Sequence, residues 1–208
     1  MLWDASIRHT LGVPRLLLAT NNPGKVRELR RLLDGCGFEL VTPADLGLAI
    51  EPAESGSTYA ENAVLKARTF ATAAGCLALA DDSGLEVDAL GGAPGIHSAR
   101  FGGPGLDDAG RVHYLLQKLG DTPHDRRTAR FRAVVALASP EGTLGVFDGS
   151  QEGRIATAPR GERGFGYDPV FVGEGGRTNG ELDEQEKDAV SHRGQAARAA
   201  AAYLRDLR

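Results

Sequence analysis

Residues 16–33 read LLLATNNPGKVRELRRLL. Leu16–Thr20 is a short apolar run suited to a buried strand, and the NNPG that follows is a turn. From Lys25 the period changes. Val26, Leu29, Leu32 and Leu33 fall on one helical face and Arg27, Arg30 and Arg31 on another, with Gly35 as a stop. Strand, tight turn and amphipathic helix in succession predict the opening unit of an α/β sheet.

Further along, Val41 belongs to a second strand, and residues 49–58, AIEPAESGST, are loop. Thr58 opens a helix with Glu61 at capping-box spacing. The alanine-rich stretch ENAVLKARTFATAA that follows lets a neighbour pack closely. Cys76–Ala80 is a strand that stops on Asp81 and Asp82, ahead of Ser83 and Gly84. Residues 91–105, GGAPGIHSARFGGPG, form a shaped loop. Asp107 then caps a helix with Val112, Leu115, Leu116 and Leu119 on its apolar face.

The next stretch has a different period. Ala129, Phe131, Ala133, Val135 and Leu137 alternate with Arg130 and Arg132, which reads as a strand. SPEG turns the chain into TLGVFDG, and GRIAT, residues 153–157, is expected as a third strand. No helix fits between them, so this part is an antiparallel meander. Phe165–Phe171 is a loop entering a strand, and residues 183–208 are helical with a break near SHRG. The expected fold is α/β, a mixed sheet with an antiparallel extension. Residues 1–14 are an N-terminal extension without the apolar centre of a secretory signal, and residues 15–208 are one domain.

Composition narrows the function classes. The chain has 208 residues, 41% apolar and 25% charged, which is ordinary for a globular domain able to bury a core. A net charge of −4 argues against a nucleic-acid polymer as partner, though not against a single nucleotide. No apolar run approaches the ~20 residues that span a membrane. Cys36 and Cys76 have no partner histidine spacing, so neither a zinc site nor a disulfide framework is indicated. A reducing cytoplasm is the expected setting.

Four segments could carry chemistry. ATNNPGK, residues 19–25, places a lysine at a helix start, where free N–H groups suit a phosphate. It is not a Walker A loop, because Ala19 and Val26 replace the glycine and the Ser/Thr. Alone, it reads more simply as a turn with a solvated lysine. The acids Glu51, Glu54, Asp81, Asp82, Glu86 and Asp88 include candidates for Mg²⁺, which takes one or two carboxylates and completes its shell with water and phosphate. Glu54 lies on a loop 28 residues before Asp82, and one helix could return it to the same edge. Glu86 and Asp88 read better as surface acids, and Glu61 as the reciprocal partner of Thr58.

In GERGFGYDPVF, residues 161–171, Phe165 and Tyr167 sit between glycines and could stack a purine, or form a turn with Phe165 in the core. In EKDAVSHRGQA, residues 186–196, Asp183 and Ser191 cap two helices, and His192 and Arg193 fall in a first turn where the dipole disfavours cations. With Lys187, they read as aimed at a ligand. Alternation along the strand puts Leu77 and Leu79 with Asp81, and Cys76, Ala78 and Ala80 with Asp82. The smaller-residue face admits another group, which favours Asp82 as the working acid.

In order, LLLATNNPGKVRELRRLL, ESGSTYAENAVLKA, ADDSGLEVDALGGAPGIHSARF, GFGYDPVF and EKDAVSHRGQA resemble the inosine triphosphate pyrophosphatase family, house-cleaning enzymes for noncanonical purine nucleoside triphosphates. The matches span Leu16 to Ala196. The resemblance implies two lobes around a central active-site cleft, a homodimer, and Mg²⁺-dependent hydrolysis of ITP, dITP or XTP to the monophosphate and pyrophosphate. It implies a triphosphate loop of Thr20, Asn21, Asn22, Pro23, Gly24 and Lys25, with Lys66 as a second phosphate-side lysine. Glu54 and Asp82 become the metal acids, and Asp82 the base for the attacking water. Ser83 becomes a substrate contact. Phe165, Gly166, Tyr167 and Asp168 become the base-binding segment, and Lys187, His192 and Arg193 lie near the purine and its 6-keto edge. One departure stands out: Asn21 occupies a position where the family often has glycine. Asn tolerates left-handed angles, so the loop shape should survive.

Two rivals remain open at this level. A pyrophosphatase for methylated or pyrimidine triphosphates would be separated by a substrate panel. A nucleotide-binding module without catalysis would bind ITP and release no pyrophosphate, and the retention of both acids and both lysines weighs against it.

Overall fold

A computed structural model describes residues 13–207, so most of the expected extension 1–14 lies outside the described residues. The chain runs β1 (Arg15–Leu18), α1 (Pro23–Leu32), β2 (Glu39–Val41), α2 (Tyr59–Ala74), β3 (Leu77–Val87), α3 (Asp108–Leu119), β4 (Thr128–Ser139), β5 (Gly142–Ile155), β6 (Phe171–Val172), α4 (Glu184–Val190) and α5 (His192–Asp206). One six-stranded sheet has the order β2-β1-β3-β4-β5-β6. β1 is parallel to β2 and β3, and every later pairing is antiparallel. The expected mixed sheet with an antiparallel extension is therefore present.

Capping residues set the helix limits. Asn22 accepts from the Lys25 amide and Pro23 opens α1, two residues before the apolar period is visible. Thr58, Asp107, Asp183 and Ser191 cap α2, α3, α4 and α5 as expected. Glu61, however, accepts from the amide and hydroxyl of Ser57 rather than closing a box with Thr58.

Two strand limits differ from expectation. β3 does not end on the aspartates but pairs with β4 from Ala78↔Ala138 to Val87↔Ala129. Gly84 is there for close approach, not for a turn: a Cβ would lie 2.3 Å from the Gly95 carbonyl oxygen and 2.7 Å from Ser98 Oγ. GRIAT is not a third strand either. Its first residues continue β5, which pairs with β4 from Thr128↔Arg154 to Ser139↔Gly142. The glycines that read as breaks sit inside a ladder held by a long partner.

Three apolar clusters build the core. Leu16, Leu18, Leu77, Leu79, Val135 and Leu137 pack with α1 and α5 on one face. Leu17, Ala78, Ala80, Val134 and Ala136 pack against the alanines of α2 on the other. Leu85, Val87, Phe131, Ile155 and Phe171 pack with α3 farther along the sheet. Each buried Leu or Phe contributes roughly 1.5–3 kcal/mol. Residues 81–84 of β3 belong to none of the three. They cross the gap between the clusters, and there the polar site lies.

Candidate active site

The two aspartates face opposite sides of β3, as alternation predicts, and meet different chemistry. Asp82 points toward α2. Lys66 Nζ is 2.7 Å from Asp82 Oδ1, and Asn62 Nδ2 is 3.4 Å from Oδ2. Asn62 and Lys66 are four residues apart and share a helical face. Asn62 Oδ1 also accepts from the Gly56 amide at 2.9 Å, which ties the preceding acidic loop to α2. Glu54 arrives on that loop, 3.1 Å from Lys66 Nζ and 3.4 Å from Arg100 Nη1. Burial raises the carboxyl of Asp82 above its ordinary value despite Lys66.

Asp81 points toward α1 and α5 and is wholly committed there. It pairs with Lys25 and, at 3.1 Å, with Arg193 Nε. Burial pushes its carboxyl up, but Arg193 and Lys25 outweigh that and hold it well below the usual range. Arg193, 2% exposed, also donates to Glu28 Oε2 at 2.6 Å and to Ser83 Oγ at 2.8 Å. Glu28 continues to Lys187 Nζ at 2.7 Å, and Lys187 to Asp168. Arg193, which reads as working against its helix dipole, thus has two buried carboxylates as counter-ions. His192 stacks on Phe131 with ring centres 4.6 Å apart and planes at 12°, and its Nδ1 is buried without a partner. Burial and the adjacent Arg193 push its imidazole well below its ordinary value, so it is neutral at pH 7.

The two candidate aromatics separate. The Phe165 ring lies 5.0 Å from Lys187 Nζ and 5.4 Å from Arg193 Cζ, at cation–π range. Its amide donates to Asp168 Oδ2 at 2.8 Å, and the Gly166 amide to Asp108 Oδ2 at 2.7 Å, so the loop is held at both points. Phe165 is therefore not the core residue of this turn. Tyr167 is: its ring packs in the third cluster and its hydroxyl donates to the Ser98 carbonyl at 2.9 Å. Phe165 also rests on α1, where a Cβ at Gly24 would lie 2.6 Å from the ring. Gly24→Ala is expected to displace the ring and lower stability by about 1–3 kcal/mol, as read from urea unfolding. An unchanged midpoint would mean that the ring does not rest there.

These groups line a cleft of about 330 Å³ that includes Asn22, Lys25, Glu54, Asp82, Ser83, Phe165, Gly166, Tyr167, Asp168, Lys187, His192 and Arg193. Lys66 stands behind its two acids. Gly24 lines an adjoining cavity with Phe165 and Lys187. Thr20, Asn21 and Pro23 do not line the main cleft; Thr20 Oγ1 instead accepts from the Asn22 amide at 3.2 Å. Among the described residues, no non-glycine residue has positive φ, so the loop keeps its shape without Asn21 entering the left-handed region. Glu86 and Asp88 pair with Arg130 on the sheet surface, and Glu51 is exposed.

As members of the site, Glu28, Asn62, Arg100, Ser98 and Phe131 escaped the sequence reading. Only Asn62 had a local signal, its i,i+4 spacing to Lys66.

Among the described residues no group of three or more His, Cys, Asp or Glu could hold a metal ion. The pair Glu54 and Asp82 still suits Mg²⁺, which needs few protein carboxylates when phosphates complete its shell. Both acids already share one positive charge, the ammonium of Lys66.

Residues 16–203 match the model of the Ham1 family. A dITP/XTP pyrophosphatase of Desulforamulus reducens is 50% identical over 194 residues, 93% of this chain and 96% of the relative. A dITP/XTP pyrophosphatase of Thermus thermophilus is 53% identical over 186 residues, 89% of each chain. The solved structure of a HAM1 protein from Coxiella burnetii superposes with a TM-score of 0.82 at 40% identity, covering 93% of this chain and 99% of that one. With the family model spanning nearly the whole sequence and half of the residues shared with these relatives, the chain belongs to the Ham1 family.

Proposed function

We propose that this protein is a nucleoside-triphosphate pyrophosphatase that hydrolyses ITP, dITP and XTP to the monophosphate and pyrophosphate, with Mg²⁺ as its cofactor. The observation that carries the reading is the split of adjacent aspartates across β3. Asp81 is locked as a permanent counter-ion, whereas Asp82 keeps a raised carboxyl on the cleft beside a second acid and a lysine. Environments that push two carboxylates apart separate a structural anion from a base.

Held by Glu54 and Asp82, Mg²⁺ would neutralise phosphate charge and orient a water. Asp82 takes the proton of the attacking water. Lys25 and Lys66 stabilise the departing pyrophosphate. Phe165 offers its ring to the purine. Arg193 spends three of its five N–H donors on protein partners and Lys187 two of its three, so both keep donors for a ligand. A donor that meets a 6-keto oxygen meets another donor when adenine's amino group arrives. Each unmade buried hydrogen bond costs ~1–3 kcal/mol, so a few suffice for selection.

The same reading takes residues 15–208 as one two-lobed domain, working as a homodimer in the cytoplasm. No described helix is long and apolar enough to cross a membrane. The test is pyrophosphate release from ITP, XTP, dITP, GTP and ATP with and without Mg²⁺. Metal-dependent release from the first three, with ATP at least about tenfold slower in kcat/KM, is expected. Equal rates on ATP would sink the specificity, and no release at all would sink the activity.

A further inference from the structure

We propose that Arg100 and Lys66 act as internal counter-ions of Glu54, so that the free protein resists a divalent cation and takes it up together with the nucleotide. This rests on the pyrophosphatase reading above.

The five site cations Lys25, Lys66, Arg100, Lys187 and Arg193 face the five carboxylates Glu28, Glu54, Asp81, Asp82 and Asp168. They form two chains. The one from Lys25 through Asp81, Arg193, Glu28 and Lys187 to Asp168 is buried along nearly its whole length. The other runs Asp82–Lys66–Glu54–Arg100. Its last link is the loose one, with the Arg100 side chain 51% and that of Glu54 35% exposed.

In this second chain every carboxylate oxygen already has a donor. Asp82 Oδ1 takes Lys66 at 2.7 Å and Oδ2 takes Asn62 at 3.4 Å. Glu54 Oε1 takes Lys66 at 3.1 Å and Oε2 takes Arg100 at 3.4 Å. Each oxygen keeps a second lone pair for a metal, but a divalent ion bound there would lie against the ammonium of Lys66 and the guanidinium of Arg100 and be repelled unless they turn away. Triphosphate oxygens offer new acceptors to those cations, so the exchange costs less when nucleotide is present. Two ligands that each ease the other's binding are positively coupled.

Arg100 is built for this exchange. Its Nη2 lies 2.8 Å from His97 Nδ1. A guanidinium only donates, so Nδ1 accepts and the imidazole proton sits on Nε2. The turn that carries Arg100 is fixed as well. Ser98 Oγ accepts from the Leu85 amide at 2.8 Å and donates to the Gly95 carbonyl at 2.7 Å, which rivets this turn to β3. An exposed head on a fixed base can leave Glu54 without any backbone rearrangement. Arg100 is a positioning residue, acting through Glu54.

Mn²⁺ is the probe, counted by the electron paramagnetic resonance of the free ion. The full chain is titrated without nucleotide and again with an α,β-imido analogue of ITP. Without nucleotide, Arg100→Gln should bind Mn²⁺ about three- to fivefold more tightly than the wild type. The ratio of affinities with and without the analogue should shrink by the same factor. Arg100→Lys should restore the wild-type value, and adding Glu54→Gln to Arg100→Gln should abolish the gain. Unchanged or weaker Mn²⁺ binding by Arg100→Gln without nucleotide overturns the proposal, as does a gain that survives Glu54→Gln. The measurement needs no turnover, so failure of wild-type pyrophosphate release would reject the pyrophosphatase reading separately.

Discussion

Asp82→Asn is expected to lower kcat for pyrophosphate release from ITP by about 10²–10⁴-fold, the contribution typical of a positioned general base. The amide keeps the size of the carboxylate, and its oxygen still accepts from Lys66. Lys66 retains Glu54 as a counter-ion at 3.1 Å. The fold therefore has little to lose, and calorimetric titration with the α,β-imido analogue should still detect nucleotide binding. Near-normal turnover in this variant would remove Asp82 as the base. The raised carboxyl adds a sign to the pH profile: the base is lost as pH falls through a value above the ordinary 3.8. The acid limb of kcat/KM should accordingly lie above that value.

Asp81→Asn is expected to do the reverse, costing about 3–5 kcal/mol of stability in urea unfolding, because it leaves buried Arg193 and Lys25 without their shared anion. The pH dependence follows from linkage. Burial opposes ionisation of Asp81 and Glu28, but their cationic partners prevail and depress both carboxyls below their ordinary 3.8 and 4.5. The unfolded chain takes up protons at those ordinary values, while the folded chain does so only at lower pH. Their stabilisation is thus complete above about pH 5 and is lost progressively as pH falls through the folded values. The wild-type urea midpoint should drop steeply from about pH 5 to about pH 3. Asp81→Asn should show a lower midpoint at neutral pH and a shallower acid slope. An unfolding free energy within about 0.5 kcal/mol of wild type would mean that the Lys25–Asp81–Arg193 chain adds nothing net. Two neighbouring aspartates would then differ in chemistry alone.

The contrast between these residues follows from the faces of one strand. Alternation along β3 placed Asp81 with Leu77 and Leu79 and Asp82 with Ala78 and Ala80, and the apolar clusters divide in the same way. That much was legible in residues 76–82. So were the βα unit at residues 16–33, the caps Thr58, Asp107, Asp183 and Ser191, and the antiparallel half of the sheet. Each rests on a period or spacing within about four residues, set by backbone geometry alone.

The continuation of β3 through DDSG was not legible, because four polar and small residues read as a strand end unless a partner strand pairs across them. Nor did spacing indicate that Glu28 joins Lys187 and Arg193, 159 and 165 residues away. The same holds for Arg100 on Glu54, and for which of Phe165 and Tyr167 faces the cleft. By itself the sequence determined the elements, their faces and the family motifs, since these depend on local geometry and residue type. Only the tertiary structure decided which charges are spent on each other and which remain for a ligand. A cation's partner is chosen by the packing that brings a carboxylate within about 3 Å of it, and no short-range pattern along the chain encodes that meeting.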